Sequence, residues 1–191
     1  RSWIGEKNAG IYMSMVIYPD IMPTDIPQIT LVTGIAVMRA LNAVTELNTK
    51  IKWPNDIIVN GKKLVGILSE MSAEMEKVNY VVIGVGINVN MKNFEGELKE
   101  KATSIYIETG KKFKRSDIIN RFVKEFKICY NKFCENGFAP FVNEYNENCA
   151  NLGKEVKTVG GRISAEGIAK GVNEKGELLI ETDRGLSAIM A

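Results

Sequence analysis

Apolar positions along this chain fall into two textures: β-branched runs of strand length, and one long stretch at helical spacing. Ile11 to Tyr18 is rich in apolar and β-branched residues and stops at Pro19-Asp20, which predicts a strand closed by a turn. From Ile29 to Leu47 apolar residues recur at helical intervals, with Thr24-Asp25 and Pro27 as start signals, so a long helix covering one face of a sheet is expected. Ile51 to Trp53 reads as a short strand, Asp56 to Val59 as a second, Asn60-Gly61 as a type I′ hairpin turn and Lys63 to Met71 as the returning strand. Tyr80 to Asn90 is a further buried strand after the polar loop around Glu74 to Lys77. Strands joined by such tight turns form an antiparallel or mixed sheet.

Beyond the sheet, Ser116 is the predicted N-cap of a helix running to about Glu135, with Gly137 placed to end it. A shorter helix is expected from Pro140 to about Cys149. From Gly153 onward the apolar runs become short and are punctuated by Gly160-Gly161, Gly167, Gly171, Gly176 and Gly185, the texture of a small β-barrel. The expected fold class is α+β: a mixed or antiparallel sheet with helices over residues 1–150, and a small β unit over 151–191.

Composition narrows the chemistry more than the fold. A chain of 191 residues with 45% hydrophobic residues can bury a substantial core. A net charge of +2 gives no bulk case for nucleic acid, which shows as a concentrated basic excess. The three cysteines, Cys129, Cys134 and Cys149, form no CxxC pair, so neither a disulfide framework nor a zinc site is expected. No apolar run is expected to approach the roughly 18 residues of a membrane span and no signal peptide pattern is visible, which makes the cytoplasm the default compartment. The chain contains no histidine, which removes histidine-dependent nucleophile systems and histidine-ligated metals. Lys, Arg, Asp, Glu and backbone amides remain, together with a hard, oxygen-liganded ion such as Mg²⁺.

Those residue types gather in Lys52-Trp53-Pro54-Asn55-Asp56 and the following Lys63-Leu64-Val65-Gly66-Ile67-Leu68. Lys52 and Lys63 are either solvated lysines or two cations converging on one hairpin to hold phosphate or carboxylate. Asn55-Asp56 is either turn chemistry or a phosphate donor beside a Mg²⁺ ligand. Gly66 leaves room in a buried strand for a ligand or a neighbouring chain. Gly84-Val85-Gly86-Ile87-Asn88 lacks the third glycine and the helix of a dinucleotide-binding turn, so it reads as a bulge or as bare backbone against a flat ligand. Arg1 and Trp3 are either a frayed terminus or a clamp for a triphosphate and an adenine ring.

Lys-Trp-Pro-Asn-Asp, Lys-Leu-Val-Gly-Ile-Leu and Gly-Val-Gly-Ile-Asn, in this order, resemble the biotin protein ligases, also called biotin–[acetyl-CoA-carboxylase] ligases, over nearly the whole chain. The resemblance implies a catalytic domain related to class II aminoacyl-tRNA synthetases and lipoate ligases, with an SH3-like C-terminal domain. It implies synthesis of biotinyl-5′-AMP from biotin and ATP, then transfer of biotin to a lysine of a biotin carboxyl carrier protein. Carried over by motif, Lys63 contacts the biotin carboxylate and the α-phosphate, Lys52 supports the phosphates, and Asn55 and Asp56 handle Mg²⁺ and the triphosphate. Gly66, Leu68, Gly84 and Gly86 line the biotin pocket and Asn88 contacts the nucleotide. Arg1 and Trp3 match the end of the family's loop Gly-Arg-Gly-Arg-x-Gly-Arg-x-Trp, so Arg1 joins the catalytic set and both join the ATP-binding set. The rest of that loop and the family's Ser-Thr-Asn segment are missing, and the tail stops short of the family's last strand, as in a truncated piece. Two alternatives stand beside this reading: a lipoate or octanoate ligase of the same fold, and a biotin-sensing repressor fragment, which requires an upstream DNA-binding domain. A homodimer is expected through the edge of the strand Leu64 to Met71.

Overall fold

In the computed structural model, residues 7–74, 77–158 and 165–190 are described. Arg1 and Trp3 lie outside them. A first sheet is built from β1 (Gly10–Ile17), β2 (Lys50–Lys52), β3 (Asp56–Val59), β4 (Lys62–Glu74) and β5 (Lys77–Asn88), in the order β1-β5-β4-β3-β2 with every neighbouring pair antiparallel. Asn60 and Gly61 both take positive φ, 49° and 78°, as a type I′ turn between β3 and β4 requires.

One face of this sheet is covered by α1 (Ile26–Thr45), which in turn packs on α4 (Arg115–Asn136). Buried between two layers, α1 is apolar around much of its circumference. The stretch Pro23–Thr45, at a mean hydropathy of 1.2, is long and apolar enough to cross a membrane by composition, a length the sequence reading had not recognised. Here 72% of that window is buried inside the fold, as in the core helix of a globular domain. The helix stops at Thr45, short of the predicted Leu47, because Glu46 turns left-handed and the Asn42 side chain accepts from both the N–H and the hydroxyl of Thr49. On α4, Ile118, Phe122, Phe126, Cys129 and Phe133 form one buried stripe. Its N-cap is Lys114 rather than the expected Ser116: Lys114 is the last extended residue, and the Ser116 hydroxyl contacts Asp117 instead of capping a backbone N–H.

Arg39 of α1 donates through Nε and Nη2 to the two carboxylate oxygens of Glu144, and lies 3.9 Å from the mostly buried Glu125, which also pairs with Arg121. This fork ties α1 and α4 to α5 (Val142–Glu147). The Glu144 hydrogen bond, more than any other influence, holds the Arg39 guanidinium even more firmly protonated than usual.

Two short helices absent from the sequence reading, α2 (Leu98–Lys101) and α3 (Ile105–Thr109), cross the end of the sheet. Too brief to show a period, they leave only cap signals, Ser104 at the start and Gly110 at the end of α3.

The second sheet, β6 (Glu155–Lys157), β7 (Glu166–Val172), β8 (Leu178–Thr182) and β9 (Gly185–Ile189), is an antiparallel meander. Asn146 of α5 pairs with both backbone groups of Val172 at 2.7 and 3.0 Å, and Trp53 Nε1 donates to the Gly176 carbonyl at 3.2 Å. Gly176 takes a φ of +78° and lies so near Leu31 that a Cβ there would come within 2.7 Å of its side chain. Ala169, Leu178 and Ile180 join the apolar cluster of the first sheet, so both sheets share one core.

The expected dimer edge is corrected by this topology. Leu64 to Gly66 lies in a part of β4 flanked by β3 and β5, and only the stretch past Gly66 runs beyond the end of β3.

Candidate active site

Pairing register aligns the site. Tyr12, Gly86, Gly66, Asp56 and Lys52 are successive cross-strand partners across all five strands, and Ser14, Gly84 and Leu68 form the neighbouring row. Paired residues share a face, and this is the face turned away from α1: Met13, Met15 and Ile17, the alternate residues of β1, pack on the core instead. Tyr12 and Leu68 are about half exposed. Glycines in the middle of each row leave bare backbone between those two side chains, a slot with a flat floor. A Cβ at Gly84 would meet only ordinary contacts, the nearest being the Leu68 carbonyl at 3.6 Å, so its absence leaves space in the slot rather than relieving a clash.

The slot continues into a cleft of about 500 Å³ lined by Asn55, Lys63, Gly66, Leu68, Gly86 and Asn88, closed on the far side by Phe94, Leu98 and Ala102. Its walls are mainly apolar and its polar groups few and convergent, as in small-molecule sites. Lys63 reaches its mouth, 42% exposed, with Nζ 2.5 Å from Oδ1 of Asp56. That carboxylate oxygen is itself buried and accepts no other hydrogen bond among the described residues.

Strict alternation would send Lys63 toward α1 with Val65 and Ile67. The register shifts between Ile57, opposite Val65, and Ile58, opposite Lys63, leaving Leu64 as an extra residue. This β-bulge turns Lys63 to the face of Asp56 and Gly66.

Both asparagines are held by main-chain carbonyls. Asn55 Nδ2 donates to Ile67 O and Asn88 Nδ2 to Thr103 O, each at 2.9 Å. Each carboxamide is thus oriented by one of its two N–H groups, which in a planar amide also fixes the oxygen and leaves the second N–H for a ligand. Lys52 shares the face of Asp56, its cross-strand partner. Lys52 also lines a separate groove with Trp53, Asn151, Lys154 and Lys157 between the two sheets.

As for metal, no cluster of three or more acidic or cysteine ligands exists among the described residues. Asp56 alone, its Oδ1 paired with Lys63, fits the mode in which Mg²⁺ is held by one carboxylate and mostly by substrate phosphates and water. Sequence reasoning missed Tyr12, Ser14, Phe94, Leu98, Ala102 and Thr103. Of these only Thr103 had a local signal, its position just before the Ser104 cap.

Comparison with known proteins agrees with this geometry. Residues 1–88 match the Biotin/lipoate A/B protein ligase family, and residues 152–191 match the Biotin protein ligase C terminal domain. The Bifunctional ligase/repressor BirA of Bacillus spizizenii is 38% identical over 191 residues, an alignment covering 99% of this chain and 59% of that protein. The chain thus spans less than two thirds of that curated relative. The apo structure of biotin protein ligase from Aquifex aeolicus superposes with a TM-score of 0.87 at 33% identity, covering 96% of this chain and 80% of that one. The same enzyme in complex with biotin and ATP superposes with a TM-score of 0.89 at 32% identity, covering 100% and 79%. A catalytic-domain match, a matching C-terminal domain and a shared fold at this identity show that the chain belongs to the biotin protein ligase family.

Proposed function

We propose that this protein is an ATP-dependent biotin–protein ligase. The observation that carries the reading is the bulge-directed Lys63 beside Asp56 at the mouth of a glycine-floored, apolar-walled cleft. In the first step the biotin carboxylate attacks the α-phosphorus of ATP and pyrophosphate leaves. In the second, the amine of a carrier lysine attacks the biotinyl carbonyl and AMP leaves. Lys63 supplies a fixed positive charge that holds the biotin carboxylate against the α-phosphate and stabilises the charge gathering on the phosphoryl oxygens, the largest kind of contribution a site of this type makes. Asp56 orients that ammonium in the absence of substrate. The backbone at Gly66, Gly84 and Gly86 admits the flat ureido ring, and Leu68 with Tyr12 gives apolar walls. Asn88 faces the nucleotide end and Asn55 fixes the turn beside it.

Mg²⁺ bound with ATP would neutralise phosphate charge, with Asp56 as its protein ligand. In this reading Arg1 and Trp3 serve the nucleotide, and Lys52 serves the phosphates from the neighbouring groove. Residues 1–150 are the catalytic unit and 151–191 an SH3-like unit. The acceptor is a biotin carboxyl carrier protein, and the compartment is the cytoplasm. Self-association by sheet-edge pairing would use the part of β4 past Gly66.

Biotin-driven ATP–pyrophosphate exchange on the full-length protein, with lipoate and octanoate alongside, tests the reading. Exchange with biotin alone is expected. Exchange with lipoate or octanoate would move the protein to the lipoate branch, and none with any acid would favour a sensor without turnover.

A further inference from the structure

Thr103 occupies a position that no motif predicts and that the chemistry above does not use. It is fully buried, in the bend between α2 and α3. Its N–H donates to the Lys63 carbonyl at 2.9 Å, beside a parallel bridge between Lys63 and Ala102. Its own carbonyl accepts from Asn88 Nδ2 at 2.9 Å, and its hydroxyl donates to Oε1 of Glu108 at 2.5 Å. The second Glu108 oxygen accepts from Asn60 Nδ2 at 2.7 Å, at the tip of the hairpin whose return strand carries Lys63.

Each bond has a distinct consequence. At a bulge the strand ladder is locally interrupted, so the backbone beside it lacks part of its ladder support. The Lys63 carbonyl is fixed here by a chain segment from outside the hairpin. Glu108 then ties that segment to the hairpin tip, so that the hairpin is held at both Asn60 and Lys63, on the tip side of the bulge. A buried hydroxyl gives such a tie direction, and a charged acceptor makes it stronger than a neutral pair. The same residue holds the cleft asparagine, so Lys63 and Asn88 are referenced to one point of the structure.

We infer that Thr103 and Glu108 form a positioning pair that fixes Lys63 and Asn88 relative to each other across the cleft. Neither residue touches the reacting atoms. The inference rests on the ligase reading for its kinetic consequence, but its structural half stands alone.

Two measurements on the full-length protein separate those halves. In Glu108→Ala, amide hydrogen exchange at Thr103 should accelerate tenfold or more while amides of α1 keep the parent's rates. Unchanged exchange at Thr103, or acceleration throughout the molecule, would overturn the inference whatever the protein catalyses. In Thr103→Val, which keeps both backbone bonds but removes the hydroxyl donor, kcat for biotin-driven exchange should fall tenfold or more. KM for biotin should stay within twofold, and Thr103→Ser should restore kcat. A Thr103→Val variant with the parent's kcat, or a Thr103→Ser variant as slow as Thr103→Val, would overturn the positioning role. A parent that performs no exchange while Glu108→Ala still loosens Thr103 would defeat the ligase reading and leave the clamp standing.

Discussion

Lys63 and Asp56 meet at 2.5 Å across the β3–β4 hairpin although alternation from Val65 and Ile67 would turn Lys63 to the opposite face. The single residue Leu64, inserted opposite no partner in β3, reconciles the two requirements. It is itself fully buried, so the bulge is anchored by packing at the place where the ladder is broken.

Replacing Lys63 by alanine should separate catalysis from folding. Removal of one preorganised charge of this kind lowers turnover by about 10²–10³. The Lys63 side chain is 42% exposed, but its removal leaves the buried Asp56 Oδ1 without a partner, so stability should fall by about 1–3 kcal/mol. Exchange kinetics and urea unfolding of Lys63→Ala give both quantities. Retained turnover, or loss explained by unfolding, would remove Lys63 from the catalytic role.

Gly84 tests the slot itself. A valine there would suit the strand, and its Cβ would find 3.6 Å to the nearest atom, so the unfolding free energy should change by less than about 0.5 kcal/mol. The added methyl groups would stand in the space between Ser14 and Leu68, and biotin affinity measured by calorimetry should fall at least tenfold. A Gly84→Val protein that binds biotin as the parent does would place the acid elsewhere.

Tyr145 makes a prediction about alkaline stability. The ring is completely buried, its hydroxyl has no hydrogen-bond partner among the described residues, and burial pushes its pKa well above the usual 10.0. Above about pH 10 the unfolded chain loses this proton while the folded chain keeps it, so stability is fully present below that pH and declines above it. Buried Cys129 and Cys149, whose thiols are likewise raised by burial from 9.0, start the decline earlier. Thermal melts of Tyr145→Phe should match or exceed the parent at pH 7, since no hydrogen bond is lost, and should fall less steeply above about pH 10. An equally steep decline in both proteins would show that Tyr145 does not govern it.

Much of this arrangement is legible from local pattern. The helix from the Thr24-Asp25-Pro27 start signals, the Asn60-Gly61 turn and the strands on either side all lie within a few residues of their expected places. Each is set by interactions between near neighbours in the chain. The short helices after Asn90 were not legible, because four or five residues carry no period.

The sequence by itself determined the family, through the order and spacing of its motifs, and narrowed the available chemistry to Lys, Arg, Asp, Glu and backbone amides, through the absence of histidine. It determined the elements wherever periodicity ran long enough to be read. Only the tertiary structure decided which face Lys63 takes, that Lys52 lines a different groove, that β4 is flanked on both sides as far as Gly66, and that Thr103 holds Lys63 and Asn88 together. These depend on strand register and on contacts between segments tens of residues apart. A one-residue shift reverses the face of every side chain after it, and nothing local in the sequence records such a shift.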